Sequence, residues 1–167
     1  MDLLEDYFCF RVNGVRLGIS LHSIDRVIRS VAVNQLPNPP RTVHGLIDYY
    51  GTIVPVINLR CRLSLEEKPI SPEQIFVMVN TAVRKLALVA DSADEVISFP
   101  ARELIPPDSL YSGIEASGVY RMEGGILLIY DPEKFLTSED EVLLEALIHS
   151  EQKNKPLNNA PSETARN

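Results

Sequence analysis

Residues 17–28 read LGISLHSIDRVI, and residues 86–97 read LALVADSADEVI. Five residues of the first segment recur 69 positions later: Leu17, Ser23, Asp25, Val27 and Ile28 return as Leu86, Ser92, Asp94, Val96 and Ile97. An internal sequence repeat of this kind predicts two similar modules packed side by side. The seam between two such modules is a natural docking surface.

A second block of matches follows the first in the same order. Gly45, Gly51 and Ile53 recur as Gly118, Gly124 and Ile126, with four extra residues inserted between the blocks, and Pro37 recurs as Pro106. Because the matches keep their order, we interpret them as a repeat rather than as chance similarity between strand–turn–strand segments.

Composition limits the kinds of protein that this chain can be. It has 167 residues, 45% of them apolar, and a net charge of −7, which suits one domain or two small subdomains with a true core. The acidic balance disfavours nucleic acid as a partner. No apolar run reaches the roughly 20 residues of a membrane span, and the opening MDLLEDYF is not typical of a signal peptide. These features predict a cytoplasmic protein.

The boundaries of order also follow from the sequence. We predict an ordered region over residues 1–150, divided near residues 65–75 into two intertwined subdomains, and a disordered tail over residues 151–167, which lack periodicity. Cys9 and Cys61 lie among apolar neighbours, which favours buried free thiols over a disulfide.

Short strands with close turns dominate the pattern. Asn13-Gly14 separates two alternating apolar runs and predicts a tight hairpin. Further strand pairs are predicted from Gly45 to Leu59, which turns near Gly51, from Phe76–Asn80 with Leu86–Ala90, and from Tyr120–Met122 with Ile126–Tyr130. Such strands predict a small all-β barrel, and two copies predict two barrels.

Helical signals are few. Residues 23–31 have helical spacing but a β-branched composition, so we expect a short helical turn that leads into a strand. Asp131-Pro132 is typical of a helix start. Ser138 and Glu141 form a predicted capping box that opens a C-terminal helix running through about Ile148.

The residue types that usually perform catalysis or bind metals show no catalytic or metal-ligand spacing in this sequence. His22, His44 and His149 lack metal-ligand spacing, and the cluster of Asp91, Asp94 and Glu95 suits a solvated turn better than an acid/base pair. The sequence predicts neither an enzyme nor a bound cofactor or metal.

Exposed aromatic side chains are the remaining candidates for function. Tyr49 and Tyr50 are adjacent and point to opposite faces of a strand, so we expect at least one of them to be exposed. An exposed aromatic residue beside a proline-bearing strand is typical of a protein-binding patch.

One stretch resembles a known family. Gly45-Leu46-Ile47 and residues 51–60, GTIVPVINLR, are similar to the signature segment of CheW-like domains, the chemotaxis coupling proteins. Leu36-Pro37, residues 88–91 (LVAD) with residues 94–96 (DEV), and Ile105-Pro106-Pro107 also fit, so that the resemblance runs from about Tyr7 to Ile148. It implies an all-β fold with minor α content: two small five-stranded barrels that share an apolar interface, plus the C-terminal helix.

The resemblance also implies a function. A CheW-like protein is a non-enzymatic scaffold that couples the cytoplasmic tip of a methyl-accepting chemoreceptor to the regulatory domain of a sensory histidine kinase. It is recruited to membrane-associated receptor arrays without inserting into the membrane, and it needs no cofactor.

Family position predicts two contact sets. The receptor-binding set is Ile24, Arg26, Ile28, Tyr50 and Ile97, and the kinase-binding set is Val33, Leu36, Pro37, Gly51 and Thr52. Val27 and Val96 are expected in the core.

Two departures from the family pattern indicate a divergent coupler. Asp48-Tyr49-Tyr50-Gly51 stands where the family usually has Asn-Leu-Arg-Gly, and Arg26 stands where an acidic residue is frequent. These changes favour a pathway other than flagellar chemotaxis, such as pilus motility or surface sensing, with neutral surface drift as the alternative. A further alternative is a barrel protein that binds a small ligand between its two modules.

Overall fold

The computed structural model describes residues 3–107 and 116–154, with side chains described through residue 150. Within these residues the chain forms ten strands and two α-helices. The strands are β1 (Leu4–Val12), β2 (Val15–Ser20), β3 (Ile24–Arg29), β4 (Val43–Tyr49), β5 (Thr52–Ile57), β6 (Ile75–Asn80), β7 (Lys85–Ala90), β8 (Ser92–Pro100), β9 (Gly118–Met122) and β10 (Gly125–Ile129). The helices are α1 (Leu59–Arg62) and α2 (Ser138–Asn154).

The strands form two five-stranded sheets of identical topology. The first sheet has the order β8-β1-β2-β10-β9, and the second has the order β3-β6-β7-β5-β4. Adding five to a strand number carries β1 to β6, β2 to β7 and β5 to β10, so each position in one sheet has its counterpart in the other. The predicted fold class, two five-stranded β modules with a C-terminal helix, is confirmed.

The repeated segment crosses between the sheets. β3 follows β2 in the chain but pairs with β6, and β8 follows β7 but pairs with β1. Each sheet therefore combines the first two strands of one half of the repeat with the last three strands of the other half. The proposed division of the chain near residues 65–75 stays a prediction.

The buried apolar side chains of the two sheets form three clusters. One cluster lies between the sheets and includes Phe10 and Ile19 from the first and Leu46 and Leu88 from the second. A second cluster belongs to the second sheet and a third to the first. Alternate residues of β6 serve different clusters, because successive side chains point to opposite faces. The central strands are buried on both faces, which explains their nearly continuous apolar sequences.

Each sheet curls until its two edge strands approach each other. In the first sheet, Phe99 of β8 stacks on Tyr120 of β9 with ring centroids 4.3 Å apart. In the second, the guanidinium carbon of Arg26 on β3 lies 6.0 Å from the ring centre of Tyr49 on β4. Side chains therefore complete both barrels where backbone pairing ends.

The hairpin at Asn13-Gly14 is confirmed. Val12 pairs with Val15, and Asn13 and Gly14 have φ angles of 52° and 81°. Both turn residues are thus left-handed, as a type I′ turn requires, and its twist matches that of the flanking strands.

Two glycines let crossing segments approach the sheets closely. Asn34 bridges to Leu46 beside Gly45, and Ile105 bridges to Val119 beside Gly118. A Cβ atom on Gly45 would lie only 2.6 Å from Val33 Cγ1. Gly45 and Gly118, which match each other in the second repeated block, are therefore needed for packing.

The C-terminal helix differs from its prediction at both ends. Thr137, rather than Ser138, caps it: Thr137 Oγ1 accepts the N–H of Asp140, and the Asp140 carboxylate accepts the N–H of Thr137, both at 3.0 Å. The helix continues to Asn154 because the first helix breaker beyond Ile148 is Pro156. The first four residues of the predicted tail are thus helical, and residues 155–167 lie outside the described residues.

The expectation that Val27 and Val96 belong to the core is wrong. Their side chains are 37% and 51% exposed. They are repeat counterparts on β3 and β8, two edge strands whose outward side chains are covered by no further element of the described part of the chain. Both modules thus present a valine at the same place on their surface.

The acidic cluster after β7 is structural. The Asp91 carboxylate accepts the Asn13 N–H at 2.6 Å and the Gln74 side-chain amide at 2.8 Å, and so ties both sheets together where the chain crosses. Asp94 pairs with Arg11 at 3.0 Å.

The two thiols are free but differ in burial, and we expect them to differ in reactivity. Cys9 is 1% exposed, and burial, helped by Asp94 and Glu95, raises its pKa to about 11. Cys61 is partly exposed. A thiol reagent at pH 8 should modify Cys61 readily and Cys9 only on unfolding, because the thiolate is the reactive form. Peptide mapping after timed labelling measures both rates.

The raised pKa of Cys9 also predicts the pH dependence of stability. In the folded state the thiol stays protonated, whereas in the unfolded chain it ionises near its ordinary value of 9.0. The thiol's contribution is therefore present below about pH 9 and is lost as the pH rises towards 11. For the labelling experiment, equal rates for the two cysteines in the folded protein would contradict the difference in burial between Cys9 and Cys61.

Candidate protein-binding interface

The gap between β3 and β4 brings together two of the predicted receptor-binding residues. Arg26 lies over the ring of Tyr49, and Tyr50 meets the same ring edge-on, with centroids 4.7 Å apart and planes inclined by 72°. Tyr49 itself is 6% exposed and Tyr50 is 58% exposed, so the expectation that at least one tyrosine is exposed is confirmed. A cation and a phenol thus flank one buried aromatic ring.

Tyr50 adopts a backbone conformation that aromatic residues seldom take. Its φ is 52°, and that of Gly51 is 88°, so the two residues form the turn between β4 and β5. Asparagine or glycine usually occupies the first position of such a turn. An exposed aromatic ring is therefore held at the tip of the hairpin at some conformational cost.

The Tyr49 hydroxyl is buried and, within the part of the chain that the structure describes, has no hydrogen-bond partner. Burial raises the pKa of Tyr49, and the nearby Arg26 guanidinium opposes that rise. Asp25 is also close, but its carboxylate is held by Lys85 Nζ at 3.0 Å. The sequence named Tyr49 only as one of two adjacent tyrosines of which at least one should be exposed. It did not predict the contact of Tyr49 with β3, because that contact depends on the curl of the sheet.

The other predicted receptor-binding residues are distributed over three places. Ile24 packs against the cluster between the sheets, and Ile28 against the cluster of the second sheet. Ile97 lies in the first sheet and packs against the third cluster. All three are half-buried, and their contact with a receptor stays a prediction.

The predicted kinase-binding residues are spread along β4 rather than gathered at one place: Gly51 and Thr52 follow its C-terminal end, whereas the crossing segment that carries the others bridges to it at Leu46. Gly51 and Thr52 are exposed at the β4–β5 turn, and Pro37 is exposed on the crossing segment. Val33 is half-buried against the cluster of the second sheet. Leu36 is only 7% exposed and packs in the cluster between the sheets, and its contact with a kinase stays a prediction.

Truncation of Leu36 should therefore affect folding first. Leu36→Ala is expected to lower the free energy of unfolding by about 2–3 kcal/mol, because it leaves a cavity between the sheets. Pro37→Ala, an exposed neighbour, is the matched control and should change stability little. Urea denaturation measures both variants. Unchanged stability of Leu36→Ala with lost kinase binding would instead make Leu36 a surface anchor.

The seam between the modules is filled. The space lined by Val12, Asn58, Leu59 and Val89 amounts to about 10 Å³, which leaves room for about one water molecule. A larger open groove of about 450 Å³ lies between residues 30–35 and 69–72. There Ser30 Oγ donates to the Ser71 carbonyl at 2.9 Å, and burial lowers the pKa of His44.

These features do not favour the small-ligand alternative. Half of the ten residues that line the groove are valine, isoleucine or proline, the Ser30 hydroxyl donates to the Ser71 carbonyl, and the Ser71 hydroxyl donates to the Glu73 carboxylate. Among the described side chains, no three histidine, cysteine or acidic residues form a potential metal site. No helix within residues 3–107 and 116–154 is both long and apolar enough to span a bilayer.

The fold and its exposed edges define the class of protein: a double β-barrel domain with a shared core and exposed edge strands. The family model described as the CheW-like domain matches residues 6–140. The chain therefore belongs to the CheW-like domain family, as its sequence indicated.

Relatives agree with this assignment. The chain is 30% identical over 123 residues to the protein FrzA of Myxococcus xanthus, covering 68% of this chain and 76% of FrzA. It is 22% identical over 149 residues to the chemotaxis protein CheW of Klebsiella aerogenes, covering 87% and 90%. The crystal structure of the scaffolding protein TtCheW from Thermoanaerobacter tengcongensis superposes with a TM-score of 0.69 at 21% identity, covering 76% of this chain and 88% of TtCheW. This likeness confirms the fold.

Proposed function

We propose that this chain is a coupling adaptor in a chemotaxis-like signalling pathway. The match of the CheW-like family model to residues 6–140, nearly the whole described chain, is the observation that carries the proposal. The adaptor joins the cytoplasmic tip of a methyl-accepting chemoreceptor to the regulatory domain of a sensory histidine kinase. It works at the cytoplasmic side of membrane-associated receptor arrays.

The arrangement of the two barrels supports a role in which one protein binds two others. The outward side chains of the edge strands β3 and β8, such as Val27 and Val96, lie outside the cores, so a partner can cover them without disturbing the packing. The β4–β5 turn supplies a further exposed rim with Gly51 and Thr52. Partners that meet different rims can bind at the same time.

Signal transmission in this proposal needs contact rather than reaction. Affinity comes from apolar burial at residues such as Val27, with polar residues around it. Individual contacts of modest strength become effective when many copies assemble in an array, since each bound partner raises the effective concentration of the next.

The particular pathway is a second part of the proposal. Arg26 and Tyr50 depart from the usual family pattern, and a planar cation and a phenol recognise different groups from those that they replace. The 30% identical relative bears the name FrzA rather than CheW. We infer a coupler for a non-flagellar output such as pilus motility or surface sensing.

Calorimetric titration of the purified chain tests the adaptor function. The titrants are the cytoplasmic fragment of a chemoreceptor and the regulatory domain of a histidine kinase from the same organism. We expect binding to each at one-to-one stoichiometry. Absence of heat with both titrants, at concentrations up to about 100 μM, would overturn the proposal, and binding to flagellar-type partners as tightly as an ordinary coupler would overturn its non-flagellar part.

A further inference from the structure

Two arginines face each other on the first sheet, near the tip of its first hairpin. Arg11 on β1 and Arg16 on β2 are cross-strand partners, and like charges directly opposite each other destabilise a strand pair. Both residues line an open pocket of about 360 Å³ between the tip of this hairpin and the tip of the β9–β10 hairpin. The pocket belongs to the first sheet alone, so it is separate from the seam between the modules and from the contact of Arg26 with Tyr49.

The repeat counterpart of this arrangement, on the second sheet, is balanced in charge. Asn80 corresponds to Arg11 and Lys85 to Arg16, and the two face each other across β6 and β7 in the same way. Lys85 Nζ donates to Asn80 Oδ1 at 2.7 Å and to the Asp25 carboxylate at 3.0 Å. One cation meets one carboxylate and one amide there, so no charge is left over.

The first sheet instead holds an excess cation. Asp94, the counterpart of Asp25, is occupied by Arg11, whose Nε donates to the two carboxylate oxygens at 3.0 and 3.3 Å. The terminal nitrogens of Arg11 have no partner among the described residues. Arg16 keeps one contact, from Nη1 to Met122 Sδ at 3.3 Å, and a thioether is a weak acceptor. Most N–H groups of the two guanidinium groups are therefore available to a ligand.

The rest of the pocket is backbone and apolar surface. Its other lining residues are Gly14, Val15, Gly124, Gly125, Ile126 and Leu128. A Cβ atom at any of the three glycines would meet nothing within 4 Å, so the turns leave the space beside the arginines open. Glu123, the acid of the β9–β10 turn, is exposed and forms no ion pair within the described part of the chain. A pocket of this volume with a cationic end and an apolar wall suits a small anionic molecule.

We propose that Arg11 and Arg16 bind a phosphate group in this pocket, either free or carried by a small molecule. A carboxylate has two oxygens, enough for one guanidinium fork, whereas a phosphate has three strong acceptor oxygens and can take N–H groups from two forks. The bound anion also relieves the repulsion between the two arginines. An apolar body attached to the phosphate lies against Val15 and Ile126. This site gives the chain a ligand of its own and does not depend on the adaptor function.

Titration of the full chain, followed by nuclear magnetic resonance, tests the inference. The probes are inorganic phosphate and adenosine 5′-monophosphate, with sodium acetate at the same ionic strength as the carboxylate control. The Nε–Hε signals of Arg11 and Arg16 report binding at the site itself. Arg11→Asn and Arg16→Gln are the test variants. Arg121→Gln is the matched control, because Arg121 is exposed on β9, does not line the pocket and carries the same charge.

Arg11→Asn recreates the asparagine of the second sheet and leaves Asp94 to pair with Arg16. We therefore expect it to weaken phosphate binding by roughly 10-fold or more while its thermal midpoint is unchanged or higher. Arg16→Gln should weaken binding to a similar extent, and Arg121→Gln should stay within about 2-fold of the original chain, since an exposed charge outside the pocket is screened. Acetate should bind the original chain roughly 10-fold more weakly than phosphate.

The two phosphate probes identify the source of the group. Tighter binding of adenosine monophosphate than of phosphate assigns the site to an esterified phosphate, and equal binding assigns it to the free ion; both results support the site. If neither probe shifts the two arginine signals at concentrations up to about 10 mM, the inference is wrong. It is also wrong if acetate binds as phosphate does, or if Arg11→Asn and Arg16→Gln bind phosphate as the original chain does. None of these outcomes bears on the receptor and kinase titrations, which test the adaptor function separately.

Discussion

Phe10→Ala is expected to lower the free energy of unfolding by about 3–5 kcal/mol, the range for a large aromatic residue truncated in a core. Phe10 is 0% exposed and lies in the cluster that both sheets share. The loss should lower the thermal midpoint by roughly 10 °C. Because the cluster joins the sheets, secondary structure and tyrosine environment should still be lost together in a single transition.

Phe76→Ala is the matched control for this prediction. Phe76 is equally buried, but it lies in the cluster of the second sheet alone. Its truncation should cost a similar amount, while the core between the sheets stays filled. Thermal unfolding followed by far-ultraviolet and near-ultraviolet circular dichroism measures both variants. Two separate transitions in the original chain would contradict a shared core.

Gly45→Ala is expected to cost about 2–3 kcal/mol, the range for overpacking a well-filled site. The added methyl would fall on the carbonyl oxygen of Asn34 and lie 2.6 Å from Val33 Cγ1. Since backbone cannot yield as a flexible side chain can, the bridge between Asn34 and Leu46, with hydrogen bonds of 2.8 and 2.9 Å, must open. Urea denaturation measures the loss.

Gly51→Ala separates crowding from backbone strain. Gly51 has a φ of 88°, and a Cβ there would meet nothing within 4 Å, so this variant should lose only about 1 kcal/mol from the left-handed conformation. If Gly45→Ala proves as mild as Gly51→Ala, residues 33–36 are not held against β4 as described. Retained kinase binding by a folded Gly51→Ala variant would leave Gly51 outside the interface.

The local features could be predicted because they depend on neighbours in the chain. Asn13-Gly14 can form its turn from backbone preference alone, and the alternation on either side sets the pairing of β1 with β2. The short helical turn at Leu21–Ser23 and the strand that follows it agree with the mixed pattern of residues 23–31. The repeat likewise predicted two modules, because similar sequences have similar strands.

The exchange of β3–β5 and β8–β10 between the two sheets could not be predicted from the repeat. Either partner sheet offers an equivalent edge to each strand, so the sequence similarity is the same whether the strands stay or cross. The exposure of Val27 and Val96 follows from that exchange, since a valine in an edge strand has one face without a neighbour.

The site depends on contacts that appear only after the sheet has curled. Arg26 and Tyr49 lie on strands at opposite ends of the sheet order, and no local pattern relates them. Leu36 was predicted as a contact residue from its family position, whereas its apolar side chain is better placed in the shared core. Helix α2 shows the same limitation on a smaller scale, because Thr137 and Ser138 each have an acidic residue three positions on, and only the structure shows that Glu141 bonds to Arg84 instead of completing a capping box.

Simultaneous binding is the property that makes this chain an adaptor, and sedimentation velocity of a three-component mixture measures it most directly. The mixture holds the chain, the cytoplasmic fragment of the chemoreceptor and the regulatory domain of the kinase at equal concentrations. We expect a boundary that carries all three proteins and sediments faster than either two-component complex. Competition, in which addition of the kinase domain releases the receptor fragment from the chain, would contradict the account.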